Sequence, residues 1–287
     1  GLTGSSDCGK SALLRGLANA ISLKESTYLG LALNIKYGKA LYVATEDELI
    51  NIAACLQKQL HNAKGKPGLV NISYMTETSC LIQQLDEKLA TGQVDLIILD
   101  CWADTFVGNP NNLVDVRKDL NRLKFLVAKY QCCIVLLHHT VKNADKQDPN
   151  KSLVNGSQAI EAVVRSMIEL RKGKEWDSRL LTVLKNNYQS SKEKGKSLVL
   201  RFDEEHLTFA NTGDTYEHTN PTGAGKAKYD SSVWMDRMKE VKKKGVSFKT
   251  AVEKLKELYP GEDVPSGTWF KENLKLITSK KQDDATK

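Results

Sequence analysis

No run in this 287-residue chain approaches the roughly 18 uninterrupted apolar residues of a membrane-spanning helix. Its first residues also lack the basic-then-apolar order of a secretory leader. A soluble cytoplasmic protein with no membrane partner is the expectation. CxxC pairs and Cys/His ligand spacings are absent as well: Cys8, Cys55, Cys80, Cys101, Cys132 and Cys133 are scattered, which argues against a disulfide framework or a structural zinc site. Cys132 and Cys133 adjoin in a predicted strand, point to opposite faces, and read as packing residues. There is no internal repeat. The charge is not balanced: a net +7 is compatible with a polyanionic partner, although many proteins with no nucleic-acid role are as basic.

What is present is an α/β pattern. Apolar β-branched runs alternate with helical periodicity to about residue 140, the sequence form of stacked βαβ units and a parallel sheet. Strands are predicted at Ala40–Ala44, Val70–Tyr74, Asp95–Leu99 and Cys132–Leu137, and helices at Lys10–Ser22, Glu48–His61, Ser79–Thr91 and Val114–Tyr130. From Arg165 to about Ala210 short strands follow (Met167–Arg171, Leu180–Lys185, Leu198–Phe202, Leu207–Ala210), as expected of a sheet finishing in antiparallel hairpins. Asn211–Lys228 is rich in Gly, Thr, Asn and Pro and reads as a linker. Ser231–Lys244, Phe248–Leu258 and Ser266–Leu276 look like three amphipathic helices. The expected domains are therefore residues 1–210, a linker at 211–230, and a small basic helical domain at 231–287.

The chemistry begins at Gly4-Ser5-Ser6-Asp7-Cys8-Gly9-Lys10-Ser11, which fits G-x-x-x-x-G-K-[ST]. In that motif the glycines let backbone N–H groups close around phosphates, and the following helix, here opened by Ala12, offers its positive N-terminus. Residues Gly4 to Ala12 are thus candidate nucleotide-binding residues, with Lys10 bridging the β- and γ-phosphates and Ser11 holding Mg²⁺. The bland alternative is a glycine-rich turn with no ligand. Only Gly1, Leu2 and Thr3 precede the motif, so the strand before the loop is expected to begin upstream. Val94-Asp-Leu-Ile-Ile-Leu-Asp100 is a buried-strand pattern ending in an acid, suited to orienting water on Mg²⁺, though alone such a strand end often means only a turn. Because Cys101 follows Asp100, the catalytic base must come from elsewhere. Glu46, at the carboxyl end of the strand Ala40–Ala44, is the first candidate and Asp47 the second; Glu46, Asp47 and Glu48 could instead merely favour a helix N-terminus. His138, His139 and Thr140 follow the strand Cys132–Leu137, placed to sense a γ-phosphate. The loop behind them, Val141–Asn155, carries Lys142, Lys146 and Lys151, as a nucleic-acid-contacting segment or a solvated loop would.

Taken in order, GSSDCGKS, YVATEDE, LIILD, VLLHHT, NGSQAIEAVVRSMIEL and LTVLKNNYQ resemble the RecA/DnaB-like P-loop ATPases. The likeness is strongest to the AAA_25-type branch that contains the hexameric plasmid replicative helicase RepA, and it covers roughly residues 1–210. The resemblance implies a RecA-like P-loop NTPase fold, to which the mainly parallel central sheet and the antiparallel strands at its end belong; the three C-terminal helices lie outside the likeness and could form a small helix-turn-helix-like domain of their own. The resemblance implies Glu46 as catalytic base and the His pair as a conformational sensor. It also implies ATP and Mg²⁺ bound between subunits of a homo-oligomeric ring, with Arg165 as arginine finger and Lys185 as a second basic group from the neighbour. One departure stands out: where DnaB proper has an Arg two residues after that Lys, this chain has Asn187.

Over residues 227–287 fourteen Lys/Arg face ten Asp/Glu. With Trp234, Trp269 and Phe270 this segment could bind nucleic acid, or the aromatics could simply be its core. The leading expectation is a ring-forming, single-strand-dependent motor ATPase, a DNA helicase in replication of a plasmid, phage or mobile element. A nucleotide-switched loader without translocation and a recombinase forming filaments are the competing readings.

Overall fold

A computed structural model describes residues 1–61, 71–109, 112–141, 144, 147–154, 157–188, 196–218, 231–242 and 246–270. The chain forms two compact units, Gly1–Gly223 and Ala224–Lys287. In the first, β1 (Leu2–Gly4) leads through a loop into α1 (Lys10–Ser22), followed by a small hairpin of β2 (Thr27–Tyr28) and β3 (Leu31–Ala32). Then come β4 (Ala40–Ala44), α2 (Leu49–Leu60), β5 (Ile72–Met75), α3 (Leu81–Thr91), β6 (Leu96–Asp100), the single turn α4 (Trp102–Thr105), α5 (Leu113–Tyr130) and β7 (Cys133–His139). After α6 (Ser157–Val163) the chain ends the unit with β8 (Ser166–Lys172), β9 (Ser178–Asn186), β10 (Lys196–Asp203) and β11 (Thr208–Glu217).

These strands make one nine-stranded sheet in the order β11-β10-β9-β8-β1-β7-β6-β4-β5. Strands β8, β1, β7, β6, β4 and β5 pair in parallel, and β8 to β11 pair antiparallel. The connections β1→β4 and β4→β5 travel toward one edge of the sheet, whereas β5→β6 and β6→β7 travel back. Right-handed crossovers then put α1 and α2 on one face and α3 and α5 on the other. The two cores obey this rule. Leu13, Leu14, Ala18 and Ile52 pack with Ala40, Tyr42, Ala44, Leu96, Ile98 and Leu137; Leu85, Leu89, Leu120 and Leu123 pack with Leu41, Val43, Ile97, Leu99 and Leu136. Strands β4 and β6 are buried along their whole length, which explains their unbroken apolar sequence.

Most predicted elements form with ends shifted by one or two residues. The strand expected at Val70–Tyr74 runs Ile72–Met75, and Val70 lies outside the described residues. The linker is the larger correction. Asn211–Glu217 is not linker but the second half of β11, paired with β10 from Asp203↔Thr208 to Lys196↔Glu217. An edge strand keeps polar, exposed residues against unwanted pairing, and the composition of this stretch, with Gly213 at φ 85° beside a β-bulge, imitates a linker; residues 219–230 lie outside the described ones. The β2–β3 hairpin escaped the sequence pattern because its strands are two residues each. Its turn, Leu29 and Gly30 at φ 53° and 79°, is the doubly left-handed kind that suits short hairpins.

In the second unit α7 (Ser231–Val241), α8 (Phe248–Leu258) and a helical turn at residues 267–270 enclose Trp234, Met235, Met238, Leu255 and Phe270. The aromatics are its core. Arg237 lies 3.9 Å over the Tyr259 ring and pairs with Glu262 at 2.7 Å. Residues 271–276 of the third expected helix are outside the described region.

Leu85, wholly buried under α3 in the α3/α5 core, tests this layering. Leu85→Ala is expected to lower the unfolding free energy by about 2–5 kcal/mol, read as a lower urea midpoint at unchanged m-value.

Candidate active site

The carboxyl ends of β1, β7, β6 and β4 lie side by side, with Gly4 opposite His139 and Ala44 opposite Asp100. Parallel sheets of this kind take ligands at that edge. Between β1 and α1 the loop at residues 5–9 is shaped by two glycines. A Cβ on Gly4 would collide with the carbonyl oxygen of Leu170, and one on Gly9, at φ 98°, would fall 2.8 Å from the Phe209 ring. Lys10, only 6% exposed, folds back to donate to the Ser5 carbonyl at 2.6 Å, with Cys8 Sγ 4.0 Å away. Among the described residues no carboxylate pairs with it. From outside, Arg179 of β9 donates its Nε to the Cys8 carbonyl at 3.1 Å and stacks over Phe202. Ser11 stands in the first turn of α1, half-buried, and Ser6 and Asp7 face solvent.

Asp100 ends β6 almost fully buried, accepting a short hydrogen bond from the Tyr42 hydroxyl. Burial, then the charge of Asp100, pushes the Tyr42 phenol well above its ordinary range, so it stays a neutral donor to the carboxylate. Thr45 ties β4 to β6: its N–H donates to the Asp100 carbonyl at 2.9 Å, its Oγ1 donates to Asp104 at 2.8 Å and accepts from the Cys101 N–H at 2.9 Å. This fixes the start of Glu46-Asp47. The two acids then diverge. Asp47 reaches the buried Arg15 of α1 at 3.5 Å, whereas Glu46, 57% exposed, meets His139 Nε2 at 3.8 Å.

Alternation along the strands explains who joins. Even-numbered residues of β4 and β6 and odd-numbered residues of β7 face α1, which directs Tyr42, Asp100 and His139 toward the phosphate loop. His138 faces the other way and packs edge-on to Trp102, ring centroids 5.7 Å apart. The structure therefore brings Lys10, Ser11, Asp100, Glu46 and His139 to one edge and takes His138 out of direct reach. Cys101, buried with its thiol pushed up to about 11 by burial, lies beside Glu46 and His139.

Arg165 and Lys185 sit elsewhere. Both flank the amino end of β8, where Met167 pairs with Lys185, the opposite edge from the loop. Arg165 is exposed there, and Lys185 donates to the carbonyls of Glu161 and Val164 at the end of α6. Lys151 pairs with Glu161; Lys142 and Lys146 lie outside the described residues.

The sequence pattern of the AAA_25 family, described as an AAA domain, matches residues 1–145, which span the phosphate loop, Glu46, Asp100 and His139. The chain belongs to the AAA_25 family. No curated protein matches it. As an AAA_25 member it is a nucleotide-binding P-loop ATPase, and its mainly parallel sheet with antiparallel strands at one end is the RecA-like arrangement. The site suits the family's ligand: a buried, acid-free ammonium at a helix N-terminus fits a triphosphate, and a hydroxyl with a buried carboxylate fits Mg²⁺.

Arg179, Thr45, Arg15 and Tyr42 carry this AAA_25 site and were not singled out from sequence. Arg179 had one weak signal, a cation at the polar start of the predicted strand Leu180–Lys185. Removing it leaves the Cys8 carbonyl without that donor. Arg179→Met is expected to weaken ATP binding about 10-fold, or about 1.4 kcal/mol, with far-UV circular dichroism unchanged; titration with a fluorescent ATP analogue checks it.

Proposed function

We propose that the protein is a Mg²⁺-dependent ATP hydrolase that works as a homo-oligomeric ring on single-stranded nucleic acid, DNA rather than RNA, as a helicase in replication of a plasmid, phage or mobile element. One observation carries the reading: phosphate-binding and acidic groups occupy the carboxyl edge of the sheet, while Arg165 and Lys185 occupy the amino edge. With Arg165 and Lys185 taken as site residues, the charges around one nucleotide come from two copies of the chain. Head-to-tail repetition of such a contact closes into a ring.

In this reading Lys10 and the backbone of residues 5–9 would hold the phosphates, and Ser11 with Asp100 would hold the metal ion. Bound Mg²⁺ would supply charge neutralisation of the phosphate oxygens. Glu46 accepts a proton from the attacking water, and His139 keeps that carboxylate facing the site. The neighbour's Arg165 and Lys185 would stabilise charge on the leaving phosphoryl group. Nucleic-acid contact is assigned to the loop after β7, which leaves the sensor strand directly, and to the C-terminal unit as a helix-turn-helix-like module. With Trp234 and Phe270 inside its core, the contacts left to that module are its lysines and arginines.

Single-stranded DNA should raise ATP turnover, and Glu46→Gln should lower kcat at least about 100-fold with ATP still bound. Lys10→Ala and Arg165→Ala, each inactive alone, should regain about a quarter of the wild-type rate when mixed equally, because that share of head-to-tail interfaces is intact. Turnover indifferent to DNA would favour a nucleotide-switched loader; open filaments on DNA in electron micrographs would favour a recombinase. Absence of rescue on mixing would remove the shared site.

A further inference from the structure

We infer that Glu46, His139 and Cys101 form a binding site for a thiophilic divalent cation, zinc by preference, and that its occupation halts hydrolysis. One carboxylate oxygen, one imidazole nitrogen and the thiol sulfur lie within 4.8 Å of one another, and the Glu46–His139 pair stands at 3.8 Å. Tetrahedral zinc, with bonds of about 2.0–2.3 Å, holds its ligand atoms about 3.3–3.8 Å apart. Drawing atoms that lie within 4.8 Å of one another to that spacing takes movements of about 1 Å.

The three come from the ends of three different strands, and their backbones are already fixed. Ala44 and Asp100 are register partners, Gly4 and His139 are another pair, and Cys101 is held through its N–H by Thr45 at 2.9 Å and through its thiol by the Leu137 carbonyl at 3.5 Å. Glu46 and His139 are partly open to water, so the fourth coordination position faces solvent. This donor set also differs in kind from that offered to Mg²⁺. Ser11 and Asp100 present oxygen alone, the preference of a hard cation; one sulfur, one imidazole and one carboxylate select zinc, cadmium or cobalt. The cation would displace the proton from Cys101 Sγ and release it to solvent.

The inhibitory half of the inference rests on the proposed role of Glu46 as base, since a carboxylate bound to zinc cannot accept a proton from water. The binding half does not. Cobalt titrated into the full chain without nucleotide should bind as a single equivalent and give a thiolate-to-cobalt charge-transfer band. That band should vanish in Cys101→Ser, and His139→Ala should weaken cobalt binding at least 10-fold while the circular dichroism of both variants stays native. Zinc should inhibit ATP turnover at the concentrations that displace cobalt, reversibly with a zinc-selective chelator, and Cys101→Ser should need at least 10-fold more zinc relative to its own uninhibited rate. Absence of the band, or its survival in Cys101→Ser, overturns the site; zinc binding with turnover unaffected overturns the inhibition. A chain that hydrolyses no ATP at all would sink the proposed function, and the cobalt spectrum would still decide the site.

Discussion

A cation buried with no carboxylate paired to it among the described residues is the constraint on which the rest of this protein turns. Lys10 is almost inaccessible and leans on one carbonyl, that of Ser5, and an ammonium in such a place loses several kcal/mol of hydration. A free loop would relax by swinging that side chain into water or recruiting an acid. Here the loop is gripped from its far side: the Leu170 carbonyl crowds Gly4, Phe209 crowds Gly9, and Arg179 holds the Cys8 carbonyl. All three come from the second half of the sheet, β8, β9 and β11. The antiparallel extension thereby acts as the mould that keeps the loop open for a polyanion.

The same sheet sorts the remaining chemistry by parity. In a parallel sheet covered on both faces each strand has two apolar faces, and the residue that breaks the run at its carboxyl end inherits the face its number dictates. Asp100 follows Leu96 and Ile98 onto the α1 side, and His139 follows Leu137. His138 follows Leu136 toward Trp102. Two adjacent histidines, alike in sequence, are thus given different work by one step along the strand.

This parity was available from the letters alone once the strand was placed, and the layering of α1 and α2 against α3 and α5 follows from strand order. Strand order itself was not legible, because nothing local in β4 states that it pairs with β6 and β5 and not with β1. The contacts that hold the site open share that origin. Thr45 and Arg15 act across 55 residues or more in sequence, or across two elements, and neither breaks a pattern where it stands. Arg179, just ahead of Leu180 and Leu181, gives only a weak signal. Asn211–Glu217 misled in the opposite sense: a polar edge strand and a linker have the same composition and differ only in whether their backbone groups are paired.

Backbone hydrogen bonds link the site to the loop after β7. Thr140 continues β7, donates to the Gly4 carbonyl at 3.3 Å and bridges to Val154; Val141 then donates to the Leu153 carbonyl at 2.8 Å. The carbonyl that ends the phosphate-loop strand is therefore bonded to the same residue that closes the base of the following loop. Further on, Arg171 donates to the Gln147 carbonyl within that loop and pairs with the buried Glu169, which stands opposite Thr3. The two strands flanking β1 thus hold one loop, β7 at its base and β8 at Gln147 within it. A shift of Gly4 in response to a phosphate would be felt at both anchors at once, because packed strands move as units and do not deform continuously. A switch needs one such linkage to change affinity for a partner. Under the proposed ring mechanism, directional movement would need Arg165 of a second copy as well, so that the subunit sensing phosphate and the subunit supplying charge are different ones.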